Sequence, residues 1–383
     1  MKIYEVGGAV RDELLGVPVK DRDFVVVGST PEEMTRLGYT PVGKDFPVFL
    51  HPATHAEYAL ARTERKTARG YHGFQIHATP EVTLEQDLLR RDLTINAIAK
   101  DDQGELIDPF QGARDLRDKV LRHVSDAFAE DPVRVLRVAR FAARYADFSV
   151  APETLALMRA MAANGEVDAL VAERVWQEIA KGLMEKKPSR MFDVLIGADA
   201  LRRIVPEFSA MGIDDIASAR MDRTAQGDAP LAVRYATLIA TLDARRSATR
   251  ADLHDTNAKA GAPLATQRLR VPSECADLAR LAVRWRGNIQ NAPQLNPDEL
   301  LSLLLGADAL RRPTRFHDLL TVNQYISAAN SSAETNYLRE AQSALAAVDT
   351  KGIVAQAQNA ADVPASIRAA QLEKIHQFIA AKN

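Results

Sequence analysis

The chain has 383 residues, of which 46% are hydrophobic and 26% are charged, and its formal net charge is −2. These values are ordinary for a globular protein with two or more cores, and they exclude nucleic-acid binding through overall positive charge. One cysteine, Cys275, excludes an internal disulfide framework and favours a reducing compartment. The chain opens on a strand pattern without a signal-peptide hydrophobic region, and it has no apolar run of membrane-spanning length. We therefore expect a cytoplasmic protein.

The first 110 residues alternate strand-like runs with turn-like runs. Alternating and apolar patterns predict strands at residues 1–6, 23–27, 48–50 and 57–61. Helical spacing predicts short helices at 11–15 and 31–37, and two glycines predict a mobile loop at 66–74. This mixture predicts an α/β or α+β head domain, which we place at residues 1–125.

From about residue 126 the pattern becomes almost wholly helical. Helices are predicted at 132–145, 152–164, 172–184 and 188–196, each with Pro or a small polar residue near its start. The remaining residues are also helix-rich, but the polar stretches 212–227 and 243–262 are predicted to be loops. The prediction is an α+β chain with a helical neck at 126–210 and a helical body and tail at 211–383.

The segment that opens the second predicted strand carries two acidic residues, Asp21 and Asp23, fourteen residues after the pair Gly7-Gly8. Carboxylates at positions i and i+2 of a strand point to the same face, where they repel each other unless a cation lies between them. Mg²⁺ binds carboxylates together with substrate phosphates, and glycines before a helix let the backbone approach a phosphate. The simpler alternative for an isolated Asp-x-Asp is a solvated strand end beside a turn.

Two further segments combine charges in ways that suit phosphate chemistry. Arg91, which follows another arginine and precedes an acid, has the guanidinium geometry that binds phosphate oxygens, although two such arginines can also be a charged helix start. Glu57 is a candidate third carboxylate for a two-metal site, and its alternative is an acid on an edge strand.

The segment Glu130-Asp131-Pro132-Val133-Arg134 begins the first neck helix. Asp131 is a suitable N-cap and the following proline is a favourable first helical residue. The same helix carries a stripe of arginines at helical spacing, whose default interpretation is a solvated face. Its members are Arg134, Arg137, Arg140 and Arg144.

In this order, these motifs resemble the class II tRNA nucleotidyltransferase and bacterial poly(A) polymerase family. The match is dense over residues 1–150 and looser through the neck, and it is closest to the gamma- and beta-proteobacterial CCA-adding enzymes. The resemblance implies a nucleotidyltransferase palm in which Asp21 and Asp23 hold Mg²⁺. It also implies that the triphosphate is bound by Gly8, Arg11 and Arg91, with support from Arg137 and Arg140.

The resemblance further implies that Asp131 and Arg134 face the base of the bound nucleotide. A carboxylate accepts from an exocyclic amine, and a guanidinium donates to ring nitrogens and carbonyls. Cytosine and adenine both present an exocyclic amine beside an acceptor ring nitrogen at this edge, whereas uracil and guanine present a carbonyl beside a ring N–H there. The implied activity is template-independent addition of C, C and A to the 3′ end of tRNA from CTP and ATP, with release of pyrophosphate.

The resemblance fails behind the neck, where gamma-proteobacterial members often carry a metal-dependent HD phosphohydrolase domain. The two positions expected to hold His-Asp pairs read Ala240-Thr241 and Arg286-Gly287, and neither alanine nor arginine is a useful divalent ligand. The pairs that do occur are isolated in the sequence: His254-Asp255 and His317-Asp318. We therefore expect a degenerate HD-like body that serves as scaffold or tRNA-binding surface, without phosphohydrolase activity.

Other functions are compatible with parts of the sequence. A poly(A) polymerase of the same family is one alternative, although the chain lacks a basic C-terminal run, and a partial CC- or A-adding enzyme is another. A non-catalytic RNA-binding relative is a third, against which the intact carboxylate pair argues. The expected partners are tRNA, CTP and ATP. No membrane is expected, and the chain is expected to be a monomer or weak homodimer.

Overall fold

The computed structural model describes residues 1–42, 48–66, 74–250, 262–327, 332–356 and 359–382. It divides into two compact units, Met1–Pro206 and Glu207–Asn383, which we call the first and second units. The predicted division into head, neck and body stays a prediction.

The first unit contains a mixed sheet of seven strands in the part of the chain that the structure describes. The strands, in chain order, are β1 Lys2–Val6, β2 Asp23–Val27, β3 Thr40–Val42, β4 Val48–Leu50, β5 Glu57–Leu60, β6 Thr63–Lys66, β7 Phe74–His77, β8 Ala99–Lys100, β9 Leu106–Ile107, β10 Val120–Leu121 and β11 Ser149–Val150. The sheet order is β3-β4-β5-β2-β1-β8-β9, with β2 and β5 parallel and the other neighbours antiparallel.

The central strand β2 is buried on both faces, which explains its uninterrupted run of valines. Val25 packs into a cluster with Val6 of β1 on one face. Val26 packs with Met34 and Leu60 on the other face. Because side chains alternate along a strand, one apolar run supplies both layers of the core. The start of β2, where the acidic residues lie, is thereby fixed at one end of the sheet.

The predicted loop 66–74 needs a correction at its two ends. Lys66 closes β6 and Phe74 opens β7, and these strands pair antiparallel with Lys66 opposite Phe74. Residues 67–73 lie outside the described residues.

Helices lie between the strands of the first unit and, after β11, replace them in its described residues. They are α1 Gly8–Leu14, α2 Pro31–Arg36, α3 Leu84–Leu89, α4 Gly112–Arg117, α5 Val133–Arg144, α6 Pro152–Ala163, α7 Ala172–Leu183, α8 Ser189–Gly197 and α9 Leu201–Ile204. Helix α5 packs against α7 and α8, and its apolar side is fully buried. The predicted helices are present, with ends that differ from the predicted ones by at most three residues.

The second unit is helical throughout its described residues. Its helices are α10 Pro206–Met211, which begins at the unit boundary, α11 Asp215–Gln226, α12 Leu231–Arg250, α13 Ala262–Arg268, α14 Ser273–Gln290, α15 Pro297–Gly306, α16 Pro313–Ile326, α17 Ser332–Ala346, α18 Thr350–Gln356 and α19 Val363–Ala380. No helix in the described ranges has the length and apolar character needed to cross a bilayer. The α+β fold class predicted from the sequence is confirmed.

Both loops predicted in this unit are wrong over most of their described length. Residues 215–226 form α11, whose N-terminus is capped by Asp214 accepting from Ala217 N at 2.9 Å. The helix buries only a narrow stripe, Ala217, Met221 and Thr224, and its polar outer face suggested a loop. Helix α12 likewise continues through residue 250, and residues 251–261 lie outside the described residues.

Candidate active site

One cavity of about 620 Å³ opens at the end of the first unit's sheet, where β2 and β5 begin. Its described lining carries seven arginines, Arg11, Arg62, Arg90, Arg91, Arg134, Arg137 and Arg174. It also carries five acids, Asp23, Glu57, Asp92, Asp131 and Glu178. This excess of positive charge suits a polyanionic ligand.

The acidic edge of the cavity is built by two neighbouring parallel strands. Asp23 is the first residue of β2 and pairs in register with Glu57, the first residue of β5. Because β5 lies between β4 and β2, the alternative of an edge-strand acid is excluded for Glu57. Asp21 precedes the strand by two residues and is exposed.

The charges around Asp23 are consistent with a site for a hard cation. Burial in the cavity raises the pKa of Asp23, as does the nearby Asp21, while Arg91 opposes the shift. The described residues contain no cluster of three or more His, Cys, Asp or Glu side chains at metal-binding separation. Mg²⁺ is commonly bound by one or two carboxylates together with substrate phosphate oxygens. Asp21 and Asp23 are such a pair of carboxylates, so they fit Mg²⁺.

Arg22, between the two aspartates, anchors their segment to the sheet. Its Nη1 donates to Glu5 Oε1 at 2.5 Å, and Lys100 Nζ lies 3.3 Å from Glu5 Oε2. Glu5 is buried on β1. The ion pair holds Arg22 against the sheet, a contact that the sequence did not reveal.

The phosphate side of the cavity is shaped by close packing of glycine against arginine. Gly7 has φ 73° and ψ −126°, and a Cβ there would lie 2.9 Å from Arg91 Nη1. Gly8, the first residue of α1, would place a Cβ 3.4 Å from Arg11 Nη2. Of this pair, Gly7 is therefore the position that requires glycine more strictly, although the sequence pointed to Gly8.

Arg91 is held from the side opposite the cavity by Asp87, which is completely buried. Asp87 Oδ2 accepts from Arg91 Nη2 at 3.2 Å, and Asp87 Oδ1 accepts from Arg90 Nη2 at 2.5 Å. Burial opposes ionisation of Asp87, but the two arginines lower its pKa. Arg91 Nε is buried without a hydrogen-bond partner in the described residues.

A second buried acid, Asp92, joins the head to helix α5. Arg137 Nε donates to Asp92 Oδ2 at 2.7 Å, and Asn96 Nδ2 donates to Asp92 Oδ1 at 3.0 Å. Asn96 Oδ1 in turn accepts from Arg11 Nη1 at 2.5 Å. Burial alone would raise the pKa of Asp92, but the charge of Arg137 and these hydrogen bonds lower it to about 2. Three side chains predicted to bind the triphosphate, Arg11, Arg91 and Arg137, thus line one wall of the cavity.

The proposed base-reading residues lie at the start of α5. Asp131 Oδ1 accepts from Val133 N at 3.0 Å, but the predicted N-cap position is wrong: the helix begins at Val133, so Pro132 is the N-cap and Asp131 lies one residue before it. Asp131 Oδ2 also accepts from Arg174 Nη2 of α7 at 3.1 Å. Arg134 is buried, and its two Nη atoms donate to Ala127 O at 2.8 Å and to Arg90 O at 2.6 Å.

The outer arginines of the α5 stripe are paired with acids. Arg140 Nε donates to Glu178 Oε2 at 2.6 Å and is not among the residues that line the cavity. Arg144 Nη2 donates to Asp12 Oδ2 at 3.0 Å. Three arginines of the stripe, Arg137, Arg140 and Arg144, are therefore ion-paired, and Arg134 donates to backbone carbonyls, so the stripe is not the solvated face of its default interpretation. The triphosphate role of Arg140 stays a prediction.

Several lining residues escaped the sequence reasoning. Arg174, Gln177 and Glu178 share one face of α7, at i, i+3 and i+4, opposite a buried apolar face. That polar stripe was readable from helical spacing. Helical spacing does not reveal the partners of this stripe, because Arg174 and its partner Asp131, which lies just before α5, are 43 residues apart.

In the second unit, the two positions expected for HD-type metal ligands lie together. Arg286 Nη1 of α14 donates to Ala240 O of α12 at 3.0 Å. His317 Nε2 is 3.0 Å from Gln342 Oε1. The pair His254-Asp255 lies outside the described residues. The predicted absence of phosphohydrolase activity stays a prediction.

Comparison with known proteins agrees with this site. A family profile described as "Poly A polymerase head domain" matches residues 3–122. A second, described as "Probable RNA and SrmB- binding site of polymerase A", matches residues 147–211. The sheet, the cavity and these matches place the chain in the class of proteins built on a poly A polymerase head.

Whole-chain relatives define the family more closely. The multifunctional CCA protein of Dechloromonas aromatica (strain RCB) is 51% identical over 404 aligned positions, covering 99% of this chain and 98% of that protein. That of Chromobacterium violaceum is 53% identical and covers 97% of each. The chain belongs to this family. The fold of the Bacillus stearothermophilus CCA-adding enzyme in complex with CTP is similar, with a TM-score of 0.69, 22% identity and coverage of 100% of this chain and 93% of that one.

Proposed function

We propose that this chain is a tRNA nucleotidyltransferase that adds C, C and A to the 3′ end of tRNA from CTP and ATP. The observation that carries the proposal is the cavity in which the Asp23–Glu57 edge shares one space with the Arg91 wall and with Asp131. The Asp23–Glu57 edge suits the reacting phosphate, the Arg91 wall suits the triphosphate, and Asp131 suits the base. The family relationship supports the same assignment, and tRNA as substrate implies a cytoplasmic protein.

The reaction joins the tRNA 3′-oxygen to the α-phosphorus of the nucleotide. The bond between the α- and β-phosphates breaks, pyrophosphate leaves, and the hydroxyl proton passes to solvent. Asp21 and Asp23 would hold Mg²⁺, with Glu57 as the adjacent carboxylate. When bound, Mg²⁺ would polarise the α-phosphate and neutralise charge on the leaving pyrophosphate.

Triphosphate binding falls to the arginine wall. Arg91 is fixed by Asp87, Arg137 by Asp92 and Arg11 by Asn96. Because each guanidinium is already held by a buried partner, little side-chain entropy is lost when phosphate oxygens bind. Arg91 and Arg11 contact what CTP and ATP share, so we propose that they do not select the base. Gly8 and Arg140 are proposed to support the same phosphates.

Base selection falls to Asp131 and Arg134. Arg174 holds the Asp131 carboxylate from α7, and the Val133 amide holds it from α5. A carboxylate fixed in this way accepts a hydrogen bond from the amine of cytosine or adenine and rejects the carbonyl of uracil or guanine. Arg134 is oriented by the carbonyls of Ala127 and Arg90. Arg174 is thus a positioning residue for the base reader.

The experiment measures which nucleotides the protein adds to tRNA and in which order. Purified protein is incubated with tRNA lacking CCA, Mg²⁺ and each labelled nucleotide in turn, and product length is read on a gel. We expect incorporation of CTP first and of ATP only after two cytidines. Asp21→Ala and Asp23→Ala should nearly abolish addition while the fold, followed by circular dichroism, is unchanged. Near-normal turnover in both variants would contradict the carboxylate assignment.

We also propose that the second unit lacks HD-type phosphohydrolase activity, because its two expected ligand positions carry Ala240 and Arg286. Arginine at such a position repels a cation. The test is hydrolysis of 2′,3′-cyclic nucleotide with Ni²⁺ or Mn²⁺ supplied. Hydrolysis that survives Asp21→Ala but disappears in His254→Ala would overturn this proposal and leave the transferase assignment intact.

A further inference from the structure

Two arginines of the second unit reach the same turn of helix α12 from different helices. Arg220 of α11 places Nη1 3.5 Å from Thr241 Oγ1. Arg286 of α14 donates from Nη1 to Ala240 O at 3.0 Å. Because positions 240 and 241 are adjacent, the two guanidinium groups lie close together although they are 66 residues apart in the sequence.

The positive charge at this place is only partly neutralised. Arg220 makes no ion pair with any carboxylate in the described residues, and the acid nearest to Arg286 is Asp243, with Nη1 and Oδ2 3.9 Å apart. Asp214, which also faces Arg220, is paired with Arg245. Burial lowers the pKa of Arg220, the charges of Arg223 and Arg286 lower it further, and Asp214 opposes the shift.

Hydroxyl groups lie on the same face of α12. Thr241 is buried, and Thr237, four residues earlier, is completely buried. Thr237 Oγ1 has no hydrogen-bond partner within the described part of the chain. Residues four apart on a helix are neighbours, so two hydroxyls and two guanidinium groups share one region. The head chemistry uses none of these groups.

We propose that this cluster, Arg220, Arg286, Thr237 and Thr241, binds a phosphate group. Guanidinium groups bind phosphate oxygens with two parallel hydrogen bonds, and hydroxyls add further donors. A bound dianion would offset the repulsion between two like charges held at short range. The phosphate can belong to an RNA backbone or to a free phosphate or nucleotide. The proposal does not depend on the nucleotide chemistry of the first unit.

The first arm of the test uses inorganic phosphate as the probe. The thermal midpoint of the full chain is measured against phosphate concentration for wild type, Arg220→Gln and Arg286→Gln. Arg339→Gln is the control, since Arg339 is an exposed arginine of α17 whose side chain makes one polar contact in the described residues, from Nη1 to Asn336 Oδ1 at 3.5 Å. Phosphate bound in the first unit affects all four proteins equally. We expect both cluster variants to lose a large part of the phosphate-dependent rise and the control to keep it.

The second arm identifies the source of the phosphate. The affinity for tRNA lacking CCA is measured over a range of salt concentrations. If the cluster binds RNA backbone, the slope of log affinity against log salt should fall by about 1 in each cluster variant. If it binds free phosphate, that slope stays at the control value while the phosphate effect is lost.

Arg220→Gln is expected to leave the protein folded, because the native side chain makes only the 3.5 Å contact with Thr241 in the described residues. Its thermal midpoint without phosphate should match the control. The proposal is overturned if both cluster variants match Arg339→Gln in phosphate response and in tRNA salt slope.

Discussion

Replacing Gly7 with alanine tests the packing that places Arg91 in the cavity. The backbone of Gly7, at φ 73° and ψ −126°, is one that other residues adopt only at a cost of about 1–3 kcal/mol. The new Cβ would also lie 2.9 Å from Arg91 Nη1. That guanidinium would have to move away from Asn96 O, now 3.4 Å distant, and from Asp87 Oδ2, now 3.2 Å distant.

The expected fall in kcat/KM follows from weakening the contact that we propose between Arg91 and the triphosphate. One charge-assisted hydrogen bond is worth about 1.5–3 kcal/mol, which corresponds to a fall of about 10- to 100-fold in kcat/KM. The fall should be similar for CTP and ATP, because Arg91 is assigned to the triphosphate that they share. Steady-state addition of CTP to tRNA lacking CCA, and of ATP to tRNA ending in CC, measures the two values.

Two glycines provide matched controls. Gly16→Ala also introduces a side chain at a positive φ, 67°, but its Cβ would have no heavy atom within 4 Å. Gly8→Ala brings a Cβ to 3.4 Å from Arg11 Nη2 without a positive φ, so its effect should be smaller than that of Gly7→Ala. If Gly7→Ala and Gly16→Ala have the same kcat/KM, then packing against Arg91 does not shape the site.

Four other substitutions test the roles proposed for residues that line the cavity. Arg91→Ala should raise KM for CTP and ATP alike, whereas Arg134→Ala should mainly weaken the preference for CTP and ATP over UTP and GTP; an unchanged preference refutes the base-reading role. Arg174→Ala should weaken the same preference by freeing the base-reading carboxylate, and Arg203→Ala, which removes an ion pair elsewhere in the first unit, should not. The pKa of Asp92 is lowered from 3.8 to about 2, so its ionised form stabilises the fold by about 2 kcal/mol above pH 4, and this contribution is lost as the pH falls from 4 to 2. The difference in urea unfolding between wild type and Asp92→Asn should therefore shrink below pH 4, and a difference that does not vary with pH would contradict the assignment.

Local sequence signals were sufficient to predict the limits of β2, which carries Asp23, and the starts of two helices in the first unit. The run of valines bounded by Asp23 and a glycine gave the limits of β2 correctly, and prolines marked the start of α2 and α6. Helix α11 was missed because it buries one narrow stripe and exposes polar residues elsewhere. Periodicity is weak in such a helix, and only the packing of the second unit makes it evident.

In the site, too, contacts between residues close in sequence could be predicted, and contacts between residues far apart in sequence could not. Asp87 could have been identified as the partner of Arg90 and Arg91, since they lie three and four residues further along the chain. The pairing of Asp92 with Arg137 spans 45 residues. Such pairs depend on how α5 packs against the head, and a sequence motif does not predict that packing.

The most direct test of the central claim is the sequence of the product ends. Wild-type protein is given tRNA lacking CCA together with all four nucleotides and Mg²⁺, and the 3′ termini are sequenced. The proposed CCA-adding activity, with the base-reading role proposed for Asp131 and Arg134, predicts termini that end in CCA and extend no further. Long adenosine tracts, termini that stop at CC, or frequent uridine and guanosine would contradict the claim.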